Sequence, residues 1–123
     1  KEDLTDYIKR NELIENVELI SGNLGIASGE DKEVYDSVTA AQAADTLLSM
    51  RNVDASFVVY LREDGRVGIS ARSLGTINVQ RIMEELGGGG HLSNAATQIS
   101  DVTVSEAVDM LKSVIMVKDE EDE

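Results

Sequence analysis

Residues 53 to 71 read VDASFVVYLREDGRVGISA, and the alternation inside this stretch decides the fold. Side chains of an extended chain alternate between two faces, so Val53, Ala55, Phe57, Val59 and Leu61 share one side. Asp64-Gly65 supplies a tight turn, after which Val67, Ile69 and Ala71 resume the alternation. The segment predicts a β-hairpin. Its return strand places Gly68, Ser70 and Arg72 together on the opposite face. A glycine, a hydroxyl and a guanidinium in one row leave space for a ligand, and arginine can grip a phosphate with two parallel hydrogen bonds. A solvated strand face is the plainer reading of the same pattern.

Upstream, residues 3 to 15 read as a helix with Leu4, Ile8 and Leu13 on one side, patterned weakly enough to be a linker. Residues 17 to 28 are strand-like, interrupted by Gly22 and Gly25, and Gly29 to Lys32 form a polar loop. Thr39 followed by Gln42 has the spacing of a capping box. It would open a helix whose stripe is Ala40, Ala43, Ala44, Leu47 and Leu48, ending near Arg51-Asn52. Downstream, Asn78 reads as an N-cap with Ile77 and Ile82 as a hydrophobic staple. That helix runs to Leu86, where Gly87 serves as a left-handed terminator. Ala95 to Ile99 form a short strand. Thr103 and Glu106 make a second capping box, opening a helix with Val104, Ala107, Val108, Leu111 and Ile115 turned inward. Helices and strands alternate around an antiparallel hairpin, which predicts an α/β fold with a mixed sheet flanked by helices.

The chain has 123 residues, enough for one domain and one core. Aromatics are 3% of the residues, so the core is aliphatic and a stacking platform for single strands is poorly supported. The net charge of -13 opposes general binding to nucleic acid or acidic membranes. The charge is uneven, however. Residues 119 to 123 are all acidic and read as the end of a disordered tail, whereas Arg66, Arg72 and Arg81 lie in a stretch free of acids. With no cysteine and one histidine, a self-contained metal site is not expected. No apolar run is long enough to cross a bilayer. The start at Lys1 rather than Met fits a piece of a longer protein.

Gly87-Gly88-Gly89-Gly90-His91 follows a helix. One glycine there is explained by the cap, but four in a row give up backbone entropy at each position and suggest close approach by another molecule. A phosphate bound by bare amide groups is the natural visitor, with His91 as a donor beside it. A structural turn carrying a structural histidine is the alternative. The loop lacks the spacing of a P-loop or a dinucleotide fingerprint. No complete catalytic set is present, so the chain reads as a binder.

Ser70-Ala71-Arg72-Ser73, then the glycine run with His91, then Asn94-Ala95-Ala96 resemble the signature of the DHH-associated domain, the substrate-binding half of the DHH phosphoesterases. The likeness covers residues 17 to 117, with residues 1 to 16 as a helix linking from a DHH domain and 118 to 123 as the tail. The fuller text through Thr97-Gln98 is most similar to the membrane-anchored cyclic-di-AMP phosphodiesterases of Gram-positive bacteria; many exonuclease relatives carry glycine in place of Thr97. The resemblance implies two manganese ions held by the DHH domain, none in this chain, and a cytoplasmic site. It also implies that Gly88, Gly89 and Gly90 bind through their amides and that His91 and Arg72 contact phosphate, with Ser70, Ser73 and Asn94 as weaker candidates for sugar or base. The implied partners are a cyclic dinucleotide or short oligonucleotide, the DHH domain of the same polypeptide and a second copy in a homodimer. A nanoRNase or single-strand exonuclease is the alternative within the superfamily, and a non-catalytic interaction module the alternative outside it.

Overall fold

The computed structural model describes residues 1 to 121, with side chains described as far as Val117. Among the described residues, six strands form one sheet in the order β1-β2-β3-β4-β6-β5, and four helices cover it. The strands are β1 (Glu18–Ile20), β2 (Leu24–Ser28), β3 (Ala55–Leu61), β4 (Val67–Ser73), β5 (Gly89–His91) and β6 (Asn94–Ile99). The helices are α1 (Leu4–Ile14), α2 (Ser37–Leu48), α3 (Val79–Glu85) and α4 (Val104–Glu121). Among the described strands, only β2 and β3 run parallel, joined through α2; every other neighbouring pair is antiparallel. The expected mixed sheet is present.

The central hairpin forms as its alternation predicts, with Ala55 opposite Ser73 and Leu61 opposite Val67. Gly65 sits at φ 85° and its N–H bonds to the Arg62 carbonyl, so a left-handed residue closes the turn. Asp64 accepts hydrogen bonds from both Arg62 and Arg66, which hold its carboxyl below the usual carboxylate range.

Both faces of β3 and β4 are buried, and two cores result. On one face Phe57, Ile69 and Ala71 pack with Val79, Ile82 and Met83 of α3 and with Ala107, Leu111 and Ile115 of α4. On the other, Val58 and Tyr60 pack with Leu13 of α1, Tyr35 and the Ala40, Ala43, Ala44, Leu47 stripe of α2. In α1 only Leu13 is buried; Leu4 and Ile8 stay exposed, because the helix docks by its C-terminal end.

Several local expectations shift. Residues 17 to 28 are two antiparallel strands, with Ser21 and Gly22 at positive φ in the turn and Gly25 inside β2. The N-cap of α2 is Asp36, whose carboxylate accepts from the Thr39 N–H at 2.7 Å, so Thr39 lies one turn inside the helix. The helix stops at Leu48, before the left-handed Asn52. The remaining caps hold. Asn78 caps α3, and Thr103 and Glu106 exchange backbone N–H bonds at 3.0 Å. Of residues 118 to 123, expected as a disordered tail, the backbone continues α4 to Glu121, and Asp122 and Glu123 lie outside the described residues.

Candidate functional site

The run 87 to 90 divides into separate jobs. Gly87 ends α3 at φ 86°, its N–H bonding to Glu84 O, while the Gly88 N–H reaches Met83 O at 2.8 Å. These two bonds make a Schellman cap. Gly88 then passes so close to β6 that a Cβ would lie 2.1 Å from the Ala96 carbonyl oxygen. Gly90, at φ 143°, would put a Cβ 2.5 Å from the Asn94 carbonyl oxygen. Chain geometry thus requires three of the four. Gly89 differs: its φ is not positive and a Cβ there would meet nothing within 4 Å. The run is therefore an edge strand rather than a free loop, since Gly89, Gly90 and His91 pair with Ala96, Ala95 and Asn94.

That pairing decides what comes together. Residues directly opposite on neighbouring strands share a face. Arg72 lies opposite Asn94, and Asn94 opposite His91, so one row crosses β4, β6 and β5. In the next row of the same face stand Ser70, Ala96 and Gly89. This is the face that α1 and α2 cover over β3 and β4. Past β4 the cover stops, and β6 alternates exposed and buried, with Asn94, Ala96 and Gln98 open and Ala95 and Thr97 packed beneath. The result is a bare shelf floored by Ala96 and Gly89 and bordered by Arg72, Asn94 and His91.

Arg72 is largely withdrawn from solvent, its side chain 14% exposed. Its Nε donates to Asp45 Oδ1 at 3.0 Å, and Nη1 donates to Ser70 Oγ at 3.3 Å and to Ala71 O at 2.9 Å. Among the described residues Nη2 has no protein partner, and neither do the side chains of His91 and Asn94. Two donor N–H groups on a guanidinium, an imidazole and a carboxamide along one row can meet an anionic, hydrogen-bonding ligand lying on the shelf.

The structure sorts the residues expected from sequence. Arg72, His91, Asn94 and Gly89 converge, with Ser70 behind them and bound to Arg72. Gly68 offers no space, because a Cβ there would strike the Tyr60 ring at 2.6 Å. Ser73 is on the opposite face, where its hydroxyl donates to Ile77 O and accepts from the Gly75 N–H, closing the 73–78 loop. Thr97 also faces away and donates to Leu86 O at 2.9 Å, tying the end of α3 to β6. Gly88 and Gly90 serve close backbone approach. Asp45 escaped the sequence reading, since an exposed acid on a helix carries no signal without its partner. Away from the shelf, one surface concavity is lined by Tyr35, Asp36, Arg62 and Asp64, and another by Glu12, Glu15, Glu30 and Glu33.

The family model that matches is the DHHA1 domain, over residues 16–117. The chain is 58% identical over 115 residues to the cyclic-di-AMP phosphodiesterase PdeA of Listeria monocytogenes, covering 94% of this chain and 18% of that protein. It is 55% identical over 117 residues to the cyclic-di-AMP phosphodiesterase GdpP of Bacillus subtilis, with the same two coverages. The chain therefore spans under a fifth of the length of these relatives. Among solved structures, an exopolyphosphatase-related protein from Bacteroides fragilis superposes with a TM-score of 0.81 at 20% identity, over 94% of this chain and 35% of that one. This second likeness concerns the fold alone. Motif, topology and family match agree, and the chain belongs to the DHHA1 domain family.

Proposed function

We propose that this domain is the substrate-binding half of a phosphodiesterase that opens cyclic di-AMP to the linear dinucleotide. The observation that carries the reading is the bare shelf, with Arg72, Asn94 and His91 in one row beside a floor of Ala96 and Gly89. The activity named for its relatives supports the substrate. In this reading Arg72 Nη2 and the His91 imidazole donate to phosphate oxygens. Asn94 offers a donor and an acceptor to sugar or base, and the small floor lets the nucleotide lie against the sheet.

The described residues do not suit a manganese site: no group of three or more His, Asp or Glu stands where it could hold a metal. Manganese, and the hydrolytic step with it, belong in this reading to a DHH domain of the same polypeptide lying across the shelf. No helix among the described residues is long and apolar enough to cross a membrane.

The test is steady-state kinetics of the full-length phosphodiesterase carrying His91→Ala or Arg72→Ala. A hydrogen bond to a charged group contributes about 1.5–3 kcal/mol, so each variant should lose roughly 10- to 100-fold in kcat/KM. Wild-type kinetics in both would remove the shelf from the active site. A short RNA measured in parallel separates a cyclic-dinucleotide enzyme from a nanoRNase, which would prefer the RNA.

A further inference from the structure

Asp45 is the point at which α2 reaches the polar row. Ala40, Ala43, Ala44 and Leu47 press that helix onto the sheet, which leaves Asp45 exposed on its flank. Its carboxylate takes the Arg72 Nε–H at 3.0 Å, while Ser70 Oγ and Ala71 O take Nη1. Two of the three guanidinium nitrogens are thus fixed, and Nη2 remains the uncommitted donor among the described residues. An untethered arginine surrenders freedom about four side-chain bonds when it grips an anion; one already held gives up far less.

We infer that Asp45 is a positioning residue, which orients Arg72 so that Nη2 is ready for a nucleotide phosphate. The inference rests on the reading of the shelf as the nucleotide site. Asp45 also carries a negative charge beside an anion site. Its side chain is 63% exposed, however, so water and salt screen its longer-range repulsion of an anion more than its direct 3.0 Å contact with the largely buried Arg72.

NMR of this chain tests the inference in two stages. Without ligand, the Arg72 Nε–H should exchange slowly with water in the wild type and at least several-fold faster in Asp45→Ala. Unchanged exchange would overturn the positioning role. With cyclic di-AMP, Asp45→Ala should bind roughly tenfold more weakly, equivalent to about 1.4 kcal/mol. Asp45→Asn keeps an acceptor oxygen and should recover most of the loss. Tighter binding by both variants would overturn the inference and identify Asp45 as a repelling charge. If the wild type binds no nucleotide while the exchange result holds, the positioning of Arg72 stands and the nucleotide reading falls.

Discussion

Adding one methyl group at position 88 and then at position 89 should produce opposite results, although the two residues are neighbours. In Gly88→Ala the new Cβ would lie 2.1 Å from Ala96 O, 2.5 Å from Thr97 Cβ and 2.7 Å from Thr97 Cα. Two of these atoms are backbone, so relief requires a shift of β6 by about 1 Å against normal carbon–oxygen contact. That shift is resisted on both sides, by the Gly88 N–H bond to Met83 O and by the Thr97 hydroxyl bond to Leu86 O. Overpacking of this kind costs typically 1–3 kcal/mol, and the rigid partners put Gly88→Ala near the top, at about 3 kcal/mol. For a domain of this size the melting temperature should fall by roughly 10 °C. Gly89→Ala meets no atom within 4 Å and needs no unusual φ. Its stability should stay within about 1 kcal/mol of wild type, with the change favourable if any. Gly89→Val should melt like the wild type yet bind cyclic di-AMP at least several-fold more weakly, because its side chain occupies the shelf. Thermal unfolding by circular dichroism and a binding titration read the two effects separately. A Gly88→Ala protein melting with the wild type would refute the close packing of Gly88 against β6. Undiminished binding by Gly89→Val would refute the shelf.

The same contrast explains what was legible in the sequence. The hairpin was readable because Val53 to Ala71 alternates cleanly around Asp64-Gly65. The caps at Asn78, Gly87 and Thr103 were readable because they depend on near neighbours in the chain. Asp36 was not, since aspartate and threonine both cap helices and only the bond from the Thr39 N–H to Asp36 decides which one does. Leu4 and Ile8 misled because periodicity does not say which end of a helix docks. The glycine run reads as a ligand loop in the sequence, yet three of its four residues answer to steric contacts or φ within the fold. The convergence of Arg72, Asn94 and His91 depends on strand order: β6 pairs with β4 and leaves β5 outermost. Local pattern does not contain that order.

Three further outcomes follow from the hydrogen bonds. Ser73→Ala should lower stability by about 2 kcal/mol in chemical denaturation, because Ile77 O and the Gly75 N–H both lose a partner, while nucleotide affinity stays unchanged. Asp36→Ala should cost about 1 kcal/mol through the lost α2 cap, read in the same denaturation experiment. Asp64→Asn should reduce stability at neutral pH. Hydrogen bonds from Arg62 and then Arg66 depress the folded carboxyl, so the advantage is complete above the ordinary Asp pKa of about 3.9 and fades as pH falls below it. Melting curves of wild type and variant should therefore converge in acid; a constant gap would refute the assignment.

In the proposed function the bare face of β5 and β6 receives the dinucleotide. An amide NMR titration of this chain with cyclic di-AMP, beside a short RNA, tests it most directly. Saturable shifts are expected at Ser70, Arg72, Gly89, His91, Asn94 and Ala96 with the cyclic ligand, even if affinity is only millimolar, about -4 kcal/mol. Shifts centred on the opposite face, around α3 and α4, or none at all with cyclic di-AMP, would contradict it.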